Sequence, residues 1–311
     1  MEILETEVDL AKKQPVHDHN PALWDTVLII GVIAASASGA IIKVAQAEGA
    51  PPLVIASVRN YVACIALLPF FLAGSWRELK LLTRREVCFV IGSGLILAFH
   101  FAMWIMSLEL TNVASATIFI TTTPVFVVLG SHYLLHEKVS PAIYIGIAIS
   151  IAGGILVVGT KGEEPGRLAG DMIALLGAVA ASAYMLIGRR VRPKLHLVPY
   201  IFVVYGIAAV TLMIAAWGFG NSFRGYSPKG YAMMIMLGLI SSLIGHTSIN
   251  FVLRHLRSYI VSIMTLAEPA AATVIAVIVV GATEIPKWLE AMGAAVMLFG
   301  IYIAIKVTSQ D

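Results

Sequence analysis

AASASGAIIK, Ala34–Lys43, returns 146 residues later as AASAYMLIGR, Ala180–Arg189, so the AASA quartet repeats and Lys43 falls on Arg189. The same offset carries Gly92 onto Gly238 and His100 onto His246. Further along it drifts by a residue. Pro124 pairs with Pro269 at 145, and Glu137, Gly146 and Gly153 pair with Glu284, Gly293 and Gly300 at 147. Any one match is worthless in so apolar a chain. An ordered set at a nearly constant offset is the mark of an internal duplication.

What is duplicated follows from composition. Of 311 residues, 59% are hydrophobic and 13% charged, with a mean hydropathy of +0.89. A soluble domain is nearer half apolar and a quarter charged. Apolar stretches of about 20 residues, the length that crosses a hydrocarbon core as helix, recur throughout. Polar and Pro/Gly punctuation divides the chain into ten such stretches: 25–47, 52–73, 86–108, 112–135, 141–159, 168–189, 197–218, 230–253, 258–281 and 287–306. The expectation is an all-α polytopic membrane protein with short loops and no separate soluble domain. Residues 1–24 form a polar tail without the apolar core of a signal peptide. A five-span repeat then occupies 25–160 and a second 168–306. Cys64 and Cys88 are expected as free, small hydrophobes.

Lys and Arg set the orientation. With the N-terminus cytosolic, inner segments hold Lys12, Lys13, Arg77, Lys80, Arg84, Arg85, Lys138, Arg189, Arg190, Arg192, Lys194, Arg254, Arg257 and Lys306. Outer loops hold Lys161, Arg167, Arg224, Lys229 and Lys287, fourteen against five. Both termini are therefore expected in the cytoplasm. Five spans per repeat then make the second copy enter the membrane upside down. Inverted repeats are a recurring carrier architecture, with the substrate near the midplane between them.

With these features the chain resembles the drug/metabolite transporter superfamily, specifically its EamA-type bacterial exporters. The resemblance covers nearly everything after residue 24. It is carried by Arg59 in PPLVIASVRN, by TTTPVFVVLGSHYLLHEKVSP (Thr121–Pro141), by LAEPAAATVIAVIVVGATEIP in the second copy, and by the paired glycines of spans five and ten. HEK (His136–Lys138) and Thr283 of GATE depart from the Gly that many relatives carry before Glu. The resemblance implies a bacterial inner-membrane carrier of small metabolites such as amino acids. Some relatives take choline-like or nucleoside-like compounds.

Ionisable groups at mid-membrane cost several kcal/mol unless they face a partner or a wet cavity. Glu268, about ten residues into the ninth span, is the first candidate, and Pro269 behind it frees a backbone carbonyl near Thr265. The competing reading is a protonated carboxyl bonded to a neighbouring helix. His100 and His246 can titrate or hold a polar substrate, or serve as packing contacts kept twice. Asn250 lies one turn from His246, and Trp104 holds the matching place in span three. Thr121 and Thr122 line the cavity or bond back to their own helix. Tyr184, Ser36 and Ser38 are cavity or close-packing residues. Arg59, read as near the outer side, is a partner for a substrate carboxylate or for Glu48 or Glu109.

Other features are blander. His132 and His136 have metal-ligand spacing, but no second cluster accompanies them, so no metal and no cofactor is expected. Glu137 and Glu284 are read as helix-end or gating residues. Gly146, Ser150 and Gly154 form a small-residue stripe, an interhelical contact and a candidate dimer face. The chain is compatible with a monomer or a homodimer.

The leading reading is a secondary carrier exporting amino acids or related amines. Its partners are the lipid bilayer and a small-molecule substrate, with protons as a candidate coupling ion and no nucleic acid. The chain has no G-x-x-x-x-G-K-[ST], so its drive would come from a gradient. The runner-up is a facilitative or exchange carrier for a quaternary amine or nucleoside-like solute. An intramembrane enzyme or a channel is the alternative from another class. H-E-x-x-H and G-x-S-x-G are both missing, and neither function explains the duplication.

Overall fold

The computed structural model describes residues 21–135, 142–159, 166–192, 194–252, 265 and 267–308. Among them every regular element is helical. Helices α1 (Pro21–Ser36) and α2 (Ser38–Ala47) run on from one another through Ala37. Then come α3 (Pro52–Leu72), a 3₁₀ turn (Ser75–Leu81), α4 (Arg84–Leu110), α5 (Val113–Ile120), α6 (Thr123–Leu135) and α7 (Ala142–Gly159). The second half holds α8 (Arg167–Val191), α9 (Leu197–Gly218), α10 (Pro228–Met236), a π-helical stretch (Leu237–His246), α11 (Thr247–Val252), α12 (Glu268–Val279) and α13 (Trp288–Thr308).

Local chemistry sets several of these ends. Thr83 and Glu86 form a capping box on α4: the Glu86 N–H donates to the Thr83 hydroxyl, and the Glu86 carboxylate accepts from the Thr83 N–H. Asn112 caps α5 by accepting from Ser115 N–H at 2.7 Å. Pro52 and Pro228 start their helices, where the missing N–H costs nothing. Gly281, at φ 117, turns the chain out of α12 into conformational space that other residues rarely enter.

Among the described residues seven helices are long and apolar enough to cross a membrane. They are Thr26–Ala47, Pro52–Leu72, Arg84–Leu110, Val113–Gly130, Arg167–Val191, Leu197–Gly218 and Pro228–Val252. Tyr144–Leu156, Glu268–Val279 and Trp288–Ile303 are shorter apolar helices. Isoleucine and phenylalanine cover the outside, among them Ile33, Ile65, Phe70, Ile155 and Ile278, while Ser57, Arg59, Asn60, Ser93 and His100 are turned inward. That distribution is what a lipid solvent requires.

Three expected continuous spans are interrupted. The first carries a turn at Ala37. The fourth breaks at Thr121–Thr122, with Pro124 second in the new helix. The ninth turns at Ala267 and restarts at Glu268, with Pro269 in second place. A proline cannot supply the N–H that would continue the preceding turn, so both repeats break at the equivalent point. The first helix also begins at Pro21, inside the expected tail. Residues 1–20, His136, Glu137 and most of 258–266 lie outside the described residues.

Packing obeys the duplication. The contact of α4 with α8 has its counterpart in α1 with the π-helical stretch. Likewise α4 meets α9 as α3 meets the π-helical stretch, and α6 meets α8 as α12 meets α1. The pairs α3–α9 and α7–α13 map onto themselves when the halves are exchanged. Glycines allow the closest of these approaches. A Cβ on Gly153 would stand 2.4 Å from Met297 N, and one on Gly300 would stand 2.5 Å from Ser150 N. The small-residue stripe on α7 is thus occupied by α13 of the same chain, which corrects its reading as a dimer face. Ser150 hydroxyl donates to Gly146 O at 2.9 Å and lies 3.3 Å from Met297 O, fixing that contact.

Candidate functional site

The two repeats meet at the symmetry-related histidines. His100 of α4 and His246 at the end of the π-helical stretch stand with ring centroids 6.3 Å apart at 73°. His100 Nδ1 lies 2.9 Å from Gly177 O of α8. Phe101 fills the corner, edge-on to His246 at 5.3 Å. Its other contact is Arg59 of α3, whose guanidinium carbon sits 4.0 Å from the Phe101 ring centroid.

Arg59 is the largest fully buried side chain, with 0% of its surface exposed. Its Nε donates to Ser242 Oγ at 2.9 Å. Nη1 and Nη2 have no hydrogen-bond partner among the described residues, and no carboxylate among them lies within ion-pair distance. The backbone explains the placement. A Cβ on Gly238 would stand 2.8 Å from Arg59 O and 2.6 Å from Val62 Cβ, so only a glycine lets α3 and the π-helical stretch close this far. The wider π turns then offer Ser242 twice: its hydroxyl to Arg59, and its carbonyl to Thr247 Oγ1 at 3.1 Å and Tyr205 OH at 3.4 Å. Insertions of this kind are frequent at functional sites. Arg59 is therefore deep in the bundle, and of its expected partners Glu48 and Glu109 do not reach it. Glu48 is taken by Ser227 at 2.7 Å and Lys229 at 3.0 Å, and Glu109 is exposed.

The remaining candidates divide by how their polar atoms are used. Tyr184 OH donates to Asn250 Oδ1 at 3.1 Å, and Asn250 Nδ2 donates to His246 O at 2.8 Å. These bonds hold the Asn250 amide against α8, with Tyr184 as its aromatic partner. Trp104 is buried, and its carbonyl accepts from Ser107. Thr121 and Thr122 donate to Thr117 O and Phe119 O of their own helix, the back-bonding alternative. Ser36 donates to Val32 O at 2.7 Å and lies 3.5 Å from the carbonyl oxygen of Glu268; Ser38 is buried nearby. Glu268 begins α12 half-buried, and among the described residues no hydrogen bond or ion pair reaches its carboxylate.

Sequence reasoning passed over Phe101, Tyr205, Ser241 and Ser242. Two carried a readable signal: Tyr205 is Arg59 shifted by 146, and Ser242 precedes His246 by one turn on the same face. Ser241 Oγ and Asn60 Oδ1 add two more buried polar atoms without partners, on the same pair of packed elements as Arg59. Buried polar groups are nearly always satisfied, so these four atoms, without partners among the described residues, stand out on one pair of packed elements. No group of three metal-ligating side chains occurs among the described residues.

A second polar cluster lies at one end of the bundle. Glu284, 4% exposed, accepts from Val113 N at 2.7 Å and stands 4.0 Å from Lys43 Nζ. Lys43 also donates to Thr111 O at 2.9 Å, and Asn112 Nδ2 donates to Glu290 at 3.1 Å. Asp171 accepts from Ser115 Oγ at 2.9 Å. These bonds tie α2, α5, α8 and α13 together around the N-terminus of α5, where its unpaired N–H groups and positive end favour carboxylates.

Two segments match the EamA-like transporter family, residues 22–159 and 168–306. The chain is 24% identical over 295 residues to the uncharacterized transporter YcxC of Bacillus subtilis, covering 92% of this chain and 93% of that one. It is 26% identical over 259 residues to the uncharacterized inner membrane transporter YedA of Escherichia coli K12, covering 82% of each. A solved crystal structure superposes with a TM-score of 0.66 over 92% of this chain and 98% of that one, at 19% identity, a likeness of fold alone. With a family match on each half and two halves packed about paired histidines, this multi-pass membrane protein belongs to the EamA-like transporter family.

Proposed function

We propose that the chain is a secondary transporter that exports amino acids or related amines by alternating access. The observation that carries this reading is the His100–His246 pair. Equivalent residues of the two repeats face each other at 6.3 Å, beside buried polar atoms that lack protein partners. Carriers built from repeats hold their substrate at such a junction, framed by discontinuous helices, and the breaks before Pro124 and Pro269 fit that pattern. Ten spans in two inverted sets of five, with both termini cytoplasmic, follow from the loop charges and the odd span number. The inner membrane is the location that the YedA relationship supports. Glu268 and the histidines are the candidate proton or substrate groups. A carrier for quaternary amines would seat a cation beside the Arg59 guanidinium, which like-charge repulsion opposes; the same repulsion weighs against simple amines and favours amino acids within the proposed class.

Counterflow in proteoliposomes tests the proposal, with vesicles preloaded in turn with amino acids, polyamines, choline, nucleosides and sugars. Saturable exchange within the amino acid or amine class is the expected result. Conductance that never saturates would make it a channel. Chemical conversion of a solute would make it an enzyme.

A further inference from the structure

We infer that the molecule this carrier moves bears a carboxylate, and that Arg59 holds it through the two buried guanidinium nitrogens that have no hydrogen-bond partner among the described residues. The inference rests on the carrier reading and narrows it: the acid group, and not the amine, is what the site requires.

A guanidinium stays charged at any physiological pH, so Arg59 cannot escape burial by losing its proton. Taking such a charge out of water costs several kcal/mol unless an anion and hydrogen bonds compensate. Lys43, the other cation within a span of the first repeat, stands 4.0 Å from the Glu284 carboxylate. Arg59 has one neutral hydroxyl on Nε and an aromatic face at 4.0 Å. The Ser242 bond fixes the plane of the group, and Phe101 covers one side of it. What remains is the Nη1–Nη2 edge, the fork that matches a planar carboxylate with two parallel hydrogen bonds. The Ser242 bond and the Phe101 face already orient this edge, so once the carrier opens to an anion the side chain requires little further ordering.

Charge balance narrows the class. A phosphate monoester carries roughly −1.5 to −2 near pH 7, which one arginine would leave uncompensated in a low-dielectric site. A carboxylate brings one charge. Through Phe101 the site adjoins His246, so the rest of the substrate would extend toward the histidine pair. An ammonium group is tolerated there as part of a zwitterion, but nothing on Arg59's side recruits it.

The test uses the purified full chain and three matched series built on alanine, leucine and phenylalanine. Each contains the amino acid, its decarboxylated amine and its deaminated acid; glycerol 3-phosphate is the phosphate probe. Binding is read as ligand-induced thermal stabilisation in detergent, and transport as counterflow. In at least one series the two carboxylated members stabilise the protein saturably and the amine does not. Arg59→Gln abolishes that response, and Arg59→Lys, which keeps the charge but loses the fork, binds at least tenfold more weakly. Should Arg59→Gln fail to yield folded protein, Arg59→Lys and Ser242→Ala, expected to bind a few-fold more weakly, carry the comparison. Amines that bind as well as acids, a phosphate that binds better, carboxylate binding that survives Arg59→Gln, or no binding by any carboxylate would each overturn the assignment. Carboxylate binding lost with Arg59→Gln, but without counterflow in the wild type, would instead sink the carrier reading and leave Arg59 as an anion site. Counterflow of amines that persists in Arg59→Gln would do the reverse.

Discussion

His100 and His246, residues 146 apart and each placed the same way in its own repeat, meet edge to face at 6.3 Å. The two are not interchangeable in their bonds. His100 is anchored on Gly177 O at 2.9 Å, whereas His246 is held by its packing on Phe101 and His100. Replacing His100 by Ala removes this hydrogen bond, a loss of about 0.5–1.5 kcal/mol, while Gly177 O stays in the backbone ladder of α8. His100→Ala should therefore lower the unfolding midpoint clearly, and His246→Ala should lower it less. If both belong to one transport site, the double variant should reduce counterflow no further than the more damaging single one, because neighbouring residues couple. Strictly additive losses in exchange rate would show that they act separately.

Gly153 and Gly300 make a prediction about stability alone. They let α7 and α13 approach until backbone meets backbone, and no flexible side chain is present to move aside. Alanine at either position has to separate the helices, an overpacking cost of about 1–3 kcal/mol. Gly153→Ala and Gly300→Ala should each lower the thermal midpoint, whereas Gly92→Ala, which has nothing within 4 Å, should not. Equal midpoints for all three would mean that the close approach is not needed for stability.

The link between the turn after α2 and the start of α10 is the pH-sensitive one outside the spans. Hydrogen bonds from Ser227 first, and from Lys229 next, hold the Glu48 carboxyl below its ordinary value of 4.5. A depressed carboxylate contributes stability that is fully present above its unfolded pKa and lost as pH falls through the folded one. Protection factors in 221–230, exchange rates taken relative to the intrinsic rate at each pH, should therefore be unchanged from neutral pH down to about 5 and should fall below the ordinary carboxylate value. Glu48→Gln should flatten that pH dependence. A variant that keeps the acid-induced loss of protection would assign it to another group.

Much of this arrangement could be read from the chain, and the reasons for the rest are physical. Repetition places His100 on His246. Pro124 and Pro269 stand at the breaks of Thr121–Thr122 and Ala267, but an unbroken apolar run reads as one continuous span even where a proline's missing N–H interrupts it. The turn at Ala37 and the π-helical stretch carry no such signal; they come from contacts that Gly31, Gly238 and Gly245 permit with distant helices. Arg59 could be picked out as a buried cation, but not as an unpaired one. Whether Glu48 reaches Arg59 or Lys229 depends on how α3 and α10 meet, which spacing along the chain does not encode. The hydroxyls of Thr121 and Thr122 looked available for a ligand for the same reason, and their own helix takes them.

Glu268 is where the functional proposal is most exposed to experiment. It opens α12 one residue before Pro269, with its carbonyl 3.5 Å from the Ser36 hydroxyl and its carboxylate free of hydrogen bonds among the described residues. An acidic group at the first turn of a helix is favoured by the positive end of the dipole, and Ala or Gln there loses that interaction, about 0.3–1 kcal/mol. A purely structural Glu268 would therefore show a small stability change and unaltered transport. If Glu268 instead carries the coupling proton, Glu268→Gln should retain counterflow, which needs no net proton movement, yet lose uphill transport driven by a pH gradient. Both activities should be measured in the same vesicles, at matched protein content. Loss of both, in protein that remains folded, would move Glu268 from coupling to substrate binding. Retention of both, with an unchanged pH profile, would remove it from the mechanism.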